Sequence, residues 1–140
     1  MNRIFYKSLV IAGSTGTGKS VYLHNYIQSL IDDNEYHLVL IDPKSVEFYQ
    51  YKDAYNITYV ASEVTTFIKE ELNKLLTSLR DKNVVVVIDE YADITYDKDC
   101  VSVIEDNLGS TNVKFLIATQ RGDSISKAIY DKVDGVLNLK

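Results

Sequence analysis

This chain of 140 residues has a single cysteine, no long apolar run and no excess of positive charge. The lone cysteine, Cys100, excludes an internal disulfide and is interpreted as an inert thiol. The longest unbroken apolar run, Val84 to Ile88, is far too short to cross a membrane. The run from Leu9 to Ala12 is too short for the core of a secretory signal. We therefore expect a cytoplasmic protein without a membrane segment.

The charge balance is acidic, with 20 acidic and 15 basic residues and a net charge of −5. A protein that grips a nucleic-acid duplex over its whole surface is normally basic. Any contact with nucleic acid must therefore be confined to a few lysine and arginine side chains, such as those that line a ring. The length predicts one domain, residues 1–140, with no room for a second.

A phosphate-binding loop is the strongest motif in the sequence. The segment from Gly13 to Ser20 fits the pattern G-x-x-x-x-G-K-[ST], and it lies between an apolar run and a helical pattern, as such a loop requires. A glycine-rich turn that fits by chance is the alternative. The residues predicted to bind the nucleotide are Gly13, Ser14, Thr15, Gly16, Thr17, Gly18, Lys19, Ser20 and Val21.

Two side chains of this loop have particular predicted roles. Lys19 can reach the β- and γ-phosphates of a nucleoside triphosphate, and the Ser20 hydroxyl can bind Mg²⁺. Backbone N–H groups of the loop and of the following helix would face one phosphate. The sequence therefore predicts ATP and Mg²⁺ as ligands.

Strands and helices alternate along the chain, which predicts an α/β fold with a parallel sheet covered on both faces. Apolar runs predict strands at residues 8–12, 38–41, 84–88, 115–118 and 136–139, and a polar, tyrosine-rich stretch from Glu47 to Tyr59 is assigned no element. Helical periodicity predicts helices at residues 18–32, from an N-cap at Ser62 to about Arg80, and at 101–108 and 124–130. Ligands of such sheets bind beyond the carboxyl ends of the strands.

Asp89 and Glu90 follow the apolar run from Val84 to Ile88, at such a strand end. Asp89 is predicted to bind Mg²⁺ directly or through water. Glu90 points to the other side of the backbone and is predicted to polarise the water that attacks the γ-phosphate. The alternative is that both acids only begin a surface turn. A water-activating carboxylate favours a hydrolase over a nucleotide switch or a small-molecule kinase.

Two further strand ends carry weaker candidates. Gln120 is predicted to sense the γ-phosphate or to orient the attacking water, and Arg121 to stabilise charge on the transferring phosphoryl group, unless the pair belongs to a polar turn without chemistry. Asp42-Pro43-Lys44 is interpreted as a turn with a solvated lysine.

Four motifs together resemble the motor domain of the FtsK/SpoIIIE DNA translocases, in the FtsK–HerA group of P-loop ATPases. They are Ala12 to Val21, Ile41 to Lys44 with Val46-Glu47-Phe48, Val87 to Asp93, and Ala118 to Arg121. The resemblance runs from about residue 8 to residue 140. It implies a RecA-like sheet of five mainly parallel strands in the order 5-1-4-3-2, and assembly, usually as a hexameric ring, around double-stranded DNA. It also implies that Glu90 is the catalytic glutamate and Gln120 a polar sensor.

Two functions remain open at this point. The first is an ATP-hydrolysing motor that translocates double-stranded DNA, for example in viral packaging or in transfer of a mobile element. The second is a nucleotide-gated, oligomeric assembly or adaptor ATPase that does not move DNA. The acidic loop after Glu90, with Asp93, Asp97 and Asp99 against Lys98, is poor at holding phosphates and favours the second.

Overall fold

The computed structural model describes residues 6–14 and 16–139, and this part of the chain forms one α/β layer structure. Its strands are β1 (Leu9–Ala12), β2 (Tyr36–Ile41), β3 (Ile57–Val60), β4 (Asn83–Ile88), β5 (Val113–Thr119) and β6 (Gly135–Asn138). Its helices are α1 (Lys19–Leu30), α2 (Val64–Glu70), α3 (Leu72–Ser78), α4 (Lys98–Asn107) and α5 (Lys127–Lys132). Short 3₁₀ turns lie at Tyr49–Tyr51, Tyr91–Asp93 and Gly122–Ser124. No helix among the described residues is long and apolar enough to cross a membrane.

All strands described here join one parallel sheet, in the order β3-β2-β4-β5-β1-β6. The predicted five strands are corrected to six, so the predicted order 5-1-4-3-2 becomes this longer one, in which the five predicted strands keep their places relative to one another. The missed strand, β3, begins within the tyrosine-rich stretch and pairs at the edge of the sheet with β2, Leu38 opposite Ile57. Because only its two end residues are buried, β3 lacks the continuous apolar run that marks a strand covered on both faces.

The sheet is buried on both faces, as its apolar runs predict. Along β4, Val84, Val86 and Ile88 face one cluster, which contains residues of α2, α3, α4 and α5. Val85 and Val87 face the other cluster, which contains Leu23, Ile27 and Leu30 of α1 together with Phe48 and Tyr51. A strand between two helical layers has no solvated face, so its residues are apolar in succession rather than alternately.

Helix boundaries differ from the prediction where a cap or a break was not recognised. The helix predicted from Ser62 is two helices, α2 and α3, separated at Glu71. Ser62 is not its N-cap; that position is Glu63, which is left-handed at φ 49° and makes no side-chain cap. α4 begins at Lys98 because the Asp97 carboxylate accepts hydrogen bonds from the N–H groups of Asp99 and Cys100.

Buried Asn56 joins three segments near the edge of the sheet. Its amide nitrogen donates to the carbonyl oxygens of Leu30 at 3.2 Å, Asp33 at 3.3 Å and Tyr36 at 3.2 Å. It therefore links the end of α1 and the start of β2 to the residue before β3. Carbonyl groups that lose a buried donor cannot recover their hydrogen bonds from water.

We predict that Asn56→Ala lowers the free energy of unfolding by about 2 kcal/mol, because it removes the donor shared by these carbonyl groups. Urea unfolding of the nucleotide-free protein measures the change. Asn25→Ala, on the exposed side of α1, is the control and should change the midpoint little. Equal midpoints for the two variants would contradict the role of Asn56.

Candidate nucleotide-binding and catalytic site

The loop between β1 and α1 has a backbone that only glycine permits at several positions. The Gly13 N–H donates to the Thr119 carbonyl at 3.1 Å, and a Cβ on Gly13 would lie 2.5 Å from Thr17 Oγ1 and 3.0 Å from Leu139 Cβ. Gly16 and Gly18 are left-handed, with φ of 88° and 94°. The loop is thus pinned against β5 and β6. Thr15, predicted to belong to it, lies outside the described residues.

The first turn of α1 is left open to an anion. Gly18 is the N-cap residue and provides no side-chain cap, and the first turn contains no acidic residue. The first N–H groups of a helix have no partners within the helix, and the helix dipole adds positive potential there. A phosphate group suits this position because it accepts from these N–H groups.

Lys19 and Glu90 form a nearly buried ion pair across the site. Lys19 Nζ donates to Glu90 Oε1 at 2.7 Å, and the two side chains are 9% and 13% exposed. Glu90 is left-handed, at φ 54°, where the chain leaves β4 and enters the 3₁₀ turn. Lys19, which the sequence predicts to bind the phosphates, is thus bound here by Glu90, which it predicts to activate the attacking water.

Asp89 is the most buried carboxylate that lines the site, at 8% exposure. The pKa of Asp89 is raised to about 7, mainly by burial and then by the nearby carboxylates of Glu47 and Glu90, while Lys19 acts in the opposite direction. The site therefore holds more negative charge than its own cations balance. A divalent cation bound with oxygen ligands fits this donor set, and Ser20 and Asp89 are the residues that would hold it.

These side chains line one open cavity of about 480 Å³ at the carboxyl ends of the strands. Most of the predicted residues in the described part of the chain meet there. The lining residues are Ser14, Gly16, Gly18, Lys19, Ser20, Val21, Lys44, Glu47, Asp89, Glu90 and Gln120. Gly13 and Thr17 shape the loop from behind, since Thr17 Oγ1 donates to the Ser14 carbonyl at 2.7 Å.

Arg121 does not line this cavity. Its side chain is 73% exposed, and its Nε lies 3.7 Å from a carboxylate oxygen of Asp123. The Arg121 N–H donates to Thr119 Oγ1 at 3.0 Å, so the turn directs Gln120 into the cavity and leaves the arginine at the surface. A role for Arg121 in the site of the same chain is not supported by this arrangement.

The loop after β2 contributes more to the site than its sequence indicated. Asp42 is fully buried, and its Oδ2 accepts hydrogen bonds of 3.0 Å from the N–H groups of Glu47 and Phe48 and from the Tyr59 hydroxyl. Lys44 lines the cavity, 3.9 Å from the Asp93 carboxylate. The interpretation of Asp42-Pro43-Lys44 as a plain turn missed both roles. In the sequence, these roles were indicated only by the resemblance of this segment to a motif of the FtsK/SpoIIIE family.

The parallel sheet, the phosphate loop and the acid pair at the end of β4 define the class of P-loop ATPases, and the fold is RecA-like. The chain belongs to the FtsK/SpoIIIE family, whose model matches residues 5–140. It is 31% identical to the DNA translocase FtsK of Clostridium tetani, over 81% of this chain and 20% of that protein. It is 29% identical to the DNA translocase FtsK of Campylobacter jejuni, over 81% of this chain and 16% of that protein. The chain thus spans about a fifth or less of these curated relatives.

Solved structures show the same fold at low sequence identity. The cytoplasmic domain of the type VII secretion ATPase EccC of Thermomonospora curvata has a TM-score of 0.77 at 15% identity, over 97% of this chain and 21% of that one. B204, described as the DNA-packaging ATPase of Sulfolobus turreted icosahedral virus, has a TM-score of 0.76 at 17% identity. That match covers 95% of this chain and 75% of B204.

We predict a pH-dependent stability difference between the protein and Asp89→Asn, measured without nucleotide or metal ions. The pKa of Asp89 is higher in the folded protein than its ordinary 3.8, so the folded state binds the proton more tightly. The stability that Asp89 contributes is fully present below pH 3.8 and is lost as the pH rises to about 7. Asp89→Asn should therefore gain stability relative to the parent protein between pH 5 and pH 8, by about 1–3 kcal/mol.

Urea unfolding at pH 5, 6, 7 and 8 measures this difference. Asp81→Asn, an exposed change of the same charge, controls for the general effect of removing an acid. If the advantage of Asp89→Asn over the parent were constant across this pH range, the raised pKa would be contradicted.

Proposed function

We propose that this chain is the ATP-hydrolysing motor domain of a double-stranded DNA translocase. Residues 1–140 form a single domain that works in a homo-oligomer, and the family resemblance favours a hexameric ring. The observation that carries the proposal is the placement of Glu90 next to Asp89, within the cavity and in contact with Lys19. The family match and the relatives named DNA translocase FtsK support the choice of DNA as the substrate that is moved. B204, a DNA-packaging ATPase in name, shares the fold.

In the proposed hydrolysis of ATP, the main groups around the cavity have separate roles. The phosphate loop and the first turn of α1 donate their N–H groups to the β- and γ-phosphates, and Lys19 leaves Glu90 to bind the same oxygens. Mg²⁺, held through Ser20 and Asp89, supplies positive charge against the phosphates when it is bound with ATP.

Glu90 is freed by the same exchange. Once Lys19 contacts phosphate, a carboxylate oxygen of Glu90 can accept the proton of the water that attacks the γ-phosphorus, while the bond from that phosphorus to the bridging oxygen breaks. Gln120 lies in the cavity, where its amide can donate to the γ-phosphate or accept from the water. Breaking the Lys19–Glu90 pair therefore prepares both the binding group and the base.

The second candidate is an oligomeric assembly or adaptor ATPase that is gated by nucleotide and does not move DNA. The net charge of −5 favours it, because an acidic chain offers no broad cationic surface for a duplex. Asp97 weakens this argument, since its carboxylate is paired with Lys69 at 2.8 Å. The acidic loop is therefore less repulsive to phosphate than its composition indicates.

We predict different outcomes for two variants of the ion pair. Lys19→Ala should abolish ATP binding, because it removes the phosphate ligand and leaves Glu90 unpaired. Glu90→Gln should bind ATP at least as tightly as the parent protein, since the amide holds Lys19 less strongly, and should release phosphate at least 100-fold more slowly. Titration with a fluorescent ATP analogue and a phosphate-release assay measure the two quantities. Equal loss of binding in both variants would show that Glu90 has another role.

We also predict that double-stranded DNA increases the rate of ATP hydrolysis, and that the increase falls as salt concentration rises, because phosphate contacts release counterions. Light scattering with and without ATP reports the oligomer in the same samples. Turnover that DNA leaves unchanged across the salt range would reject the motor and favour the adaptor. A chain that stays monomeric under every condition would reject both candidates.

A further inference from the structure

Glu47 lines the nucleotide cavity but has no part in the hydrolysis scheme above. Its side chain is 19% exposed, while its Oε1 is shielded from solvent and accepts no hydrogen bond from the residues that the structure describes. Nε2 of His24 lies 3.4 Å from this oxygen. Burying a carboxylate oxygen without a hydrogen-bond donor costs free energy, unless a ligand in the cavity provides a donor or a positive charge.

The backbone that carries Glu47 is fixed in place. The buried Asp42 carboxylate accepts from the N–H groups of Glu47 and Phe48, and the Phe48 ring is fully buried against the ring of His24, with centroids 5.9 Å apart. The other ring nitrogen of His24 lies 2.6 Å from the Tyr51 hydroxyl, so the histidine beside Glu47 is also held. Glu47 is thus a positioned side chain rather than part of a free surface loop.

Glu47 follows β2 and Asp89 follows β4, the neighbouring strand, and both side chains line the same cavity. Of the lysines among the described lining residues, Lys19 is paired with Glu90 at 2.7 Å and Lys44 lies 3.9 Å from the Asp93 carboxylate. Glu47 and Asp89 are therefore the carboxylates of the described lining that have no lysine partner.

We propose that Glu47 is a positioning residue for the Mg²⁺ that accompanies ATP, and that it would act by accepting hydrogen bonds from water molecules bound to the ion. The inference rests on the proposed function and names one more residue of the same site. Mg²⁺ keeps several of its waters in proteins, so carboxylates that accept from these waters orient the ion without binding it directly. His24, whose Nε2 lies 3.4 Å from Glu47 Oε1, limits the positions that this side chain can take.

The test is the Mg²⁺ dependence of nucleotide binding, measured with a fluorescent, non-hydrolysable ATP analogue in Mg²⁺ titrations and in EDTA. Glu47→Gln should need on the order of 10-fold more Mg²⁺ for half of its effect on analogue affinity. Affinity in EDTA should be unchanged or higher, since the substitution removes a negative charge near the phosphates. Glu47→Asp, which keeps the charge, should recover part of the Mg²⁺ response. Glu35→Gln makes the same charge change on the surface and should behave as the parent protein.

Each other outcome has a definite meaning. An unchanged Mg²⁺ requirement in Glu47→Gln, beside a normal response of the parent protein, overturns the role of Glu47 and leaves the proposed function intact. An equal loss of affinity with Mg²⁺ and in EDTA shows that Glu47 only supports the loop, and also overturns the inference. A parent protein that binds no nucleotide in either condition overturns the proposed function itself.

Discussion

The ion pair between Lys19 and Glu90 is the interaction on which the site depends. It joins the first residue of α1 to the second residue after β4, and so spans the two strand ends that carry the motif chemistry. A nearly buried pair of this kind stays stable only while each charge keeps a partner of opposite sign. A triphosphate offers Lys19 another partner, and the released Glu90 then needs a donor, which water provides. In the proposed function, binding and activation are therefore two results of one exchange of partners.

Much of this arrangement could be predicted from the sequence, because it depends on local signals. The glycine positions of the phosphate loop are fixed by backbone conformation, and the apolar run before Asp89 is fixed by burial on two faces of the sheet. Both constraints act within a few residues, so the pattern of residues carries them. β3 was missed for the opposite reason, since an edge strand with two buried residues leaves a weak pattern.

The parts that the sequence did not indicate depend on contacts across the fold. Asp42 looked like a turn residue, yet its carboxylate organises the loop that places Glu47 in the same cavity as Asp89. Arg121 looked like a phosphate ligand, yet a hydrogen bond from its N–H to Thr119 Oγ1 helps to hold the turn, and its side chain lies at the surface near Asp123. Neither outcome follows from residue type, because each is decided by which backbone groups lie within reach in three dimensions.

Leu139, the residue after β6, lies against Gly13 of the phosphate loop at one edge of the sheet. β6 pairs with β1, and the N–H of Leu139, directly after β6, donates to the Ala12 carbonyl at 2.8 Å. The space that a side chain on Gly13 would need is occupied by Thr17 Oγ1 and Leu139 Cβ, which lie 2.5 Å and 3.0 Å from the position of its Cβ. A larger residue at position 13 would therefore displace the end of β6 as well as the phosphate loop.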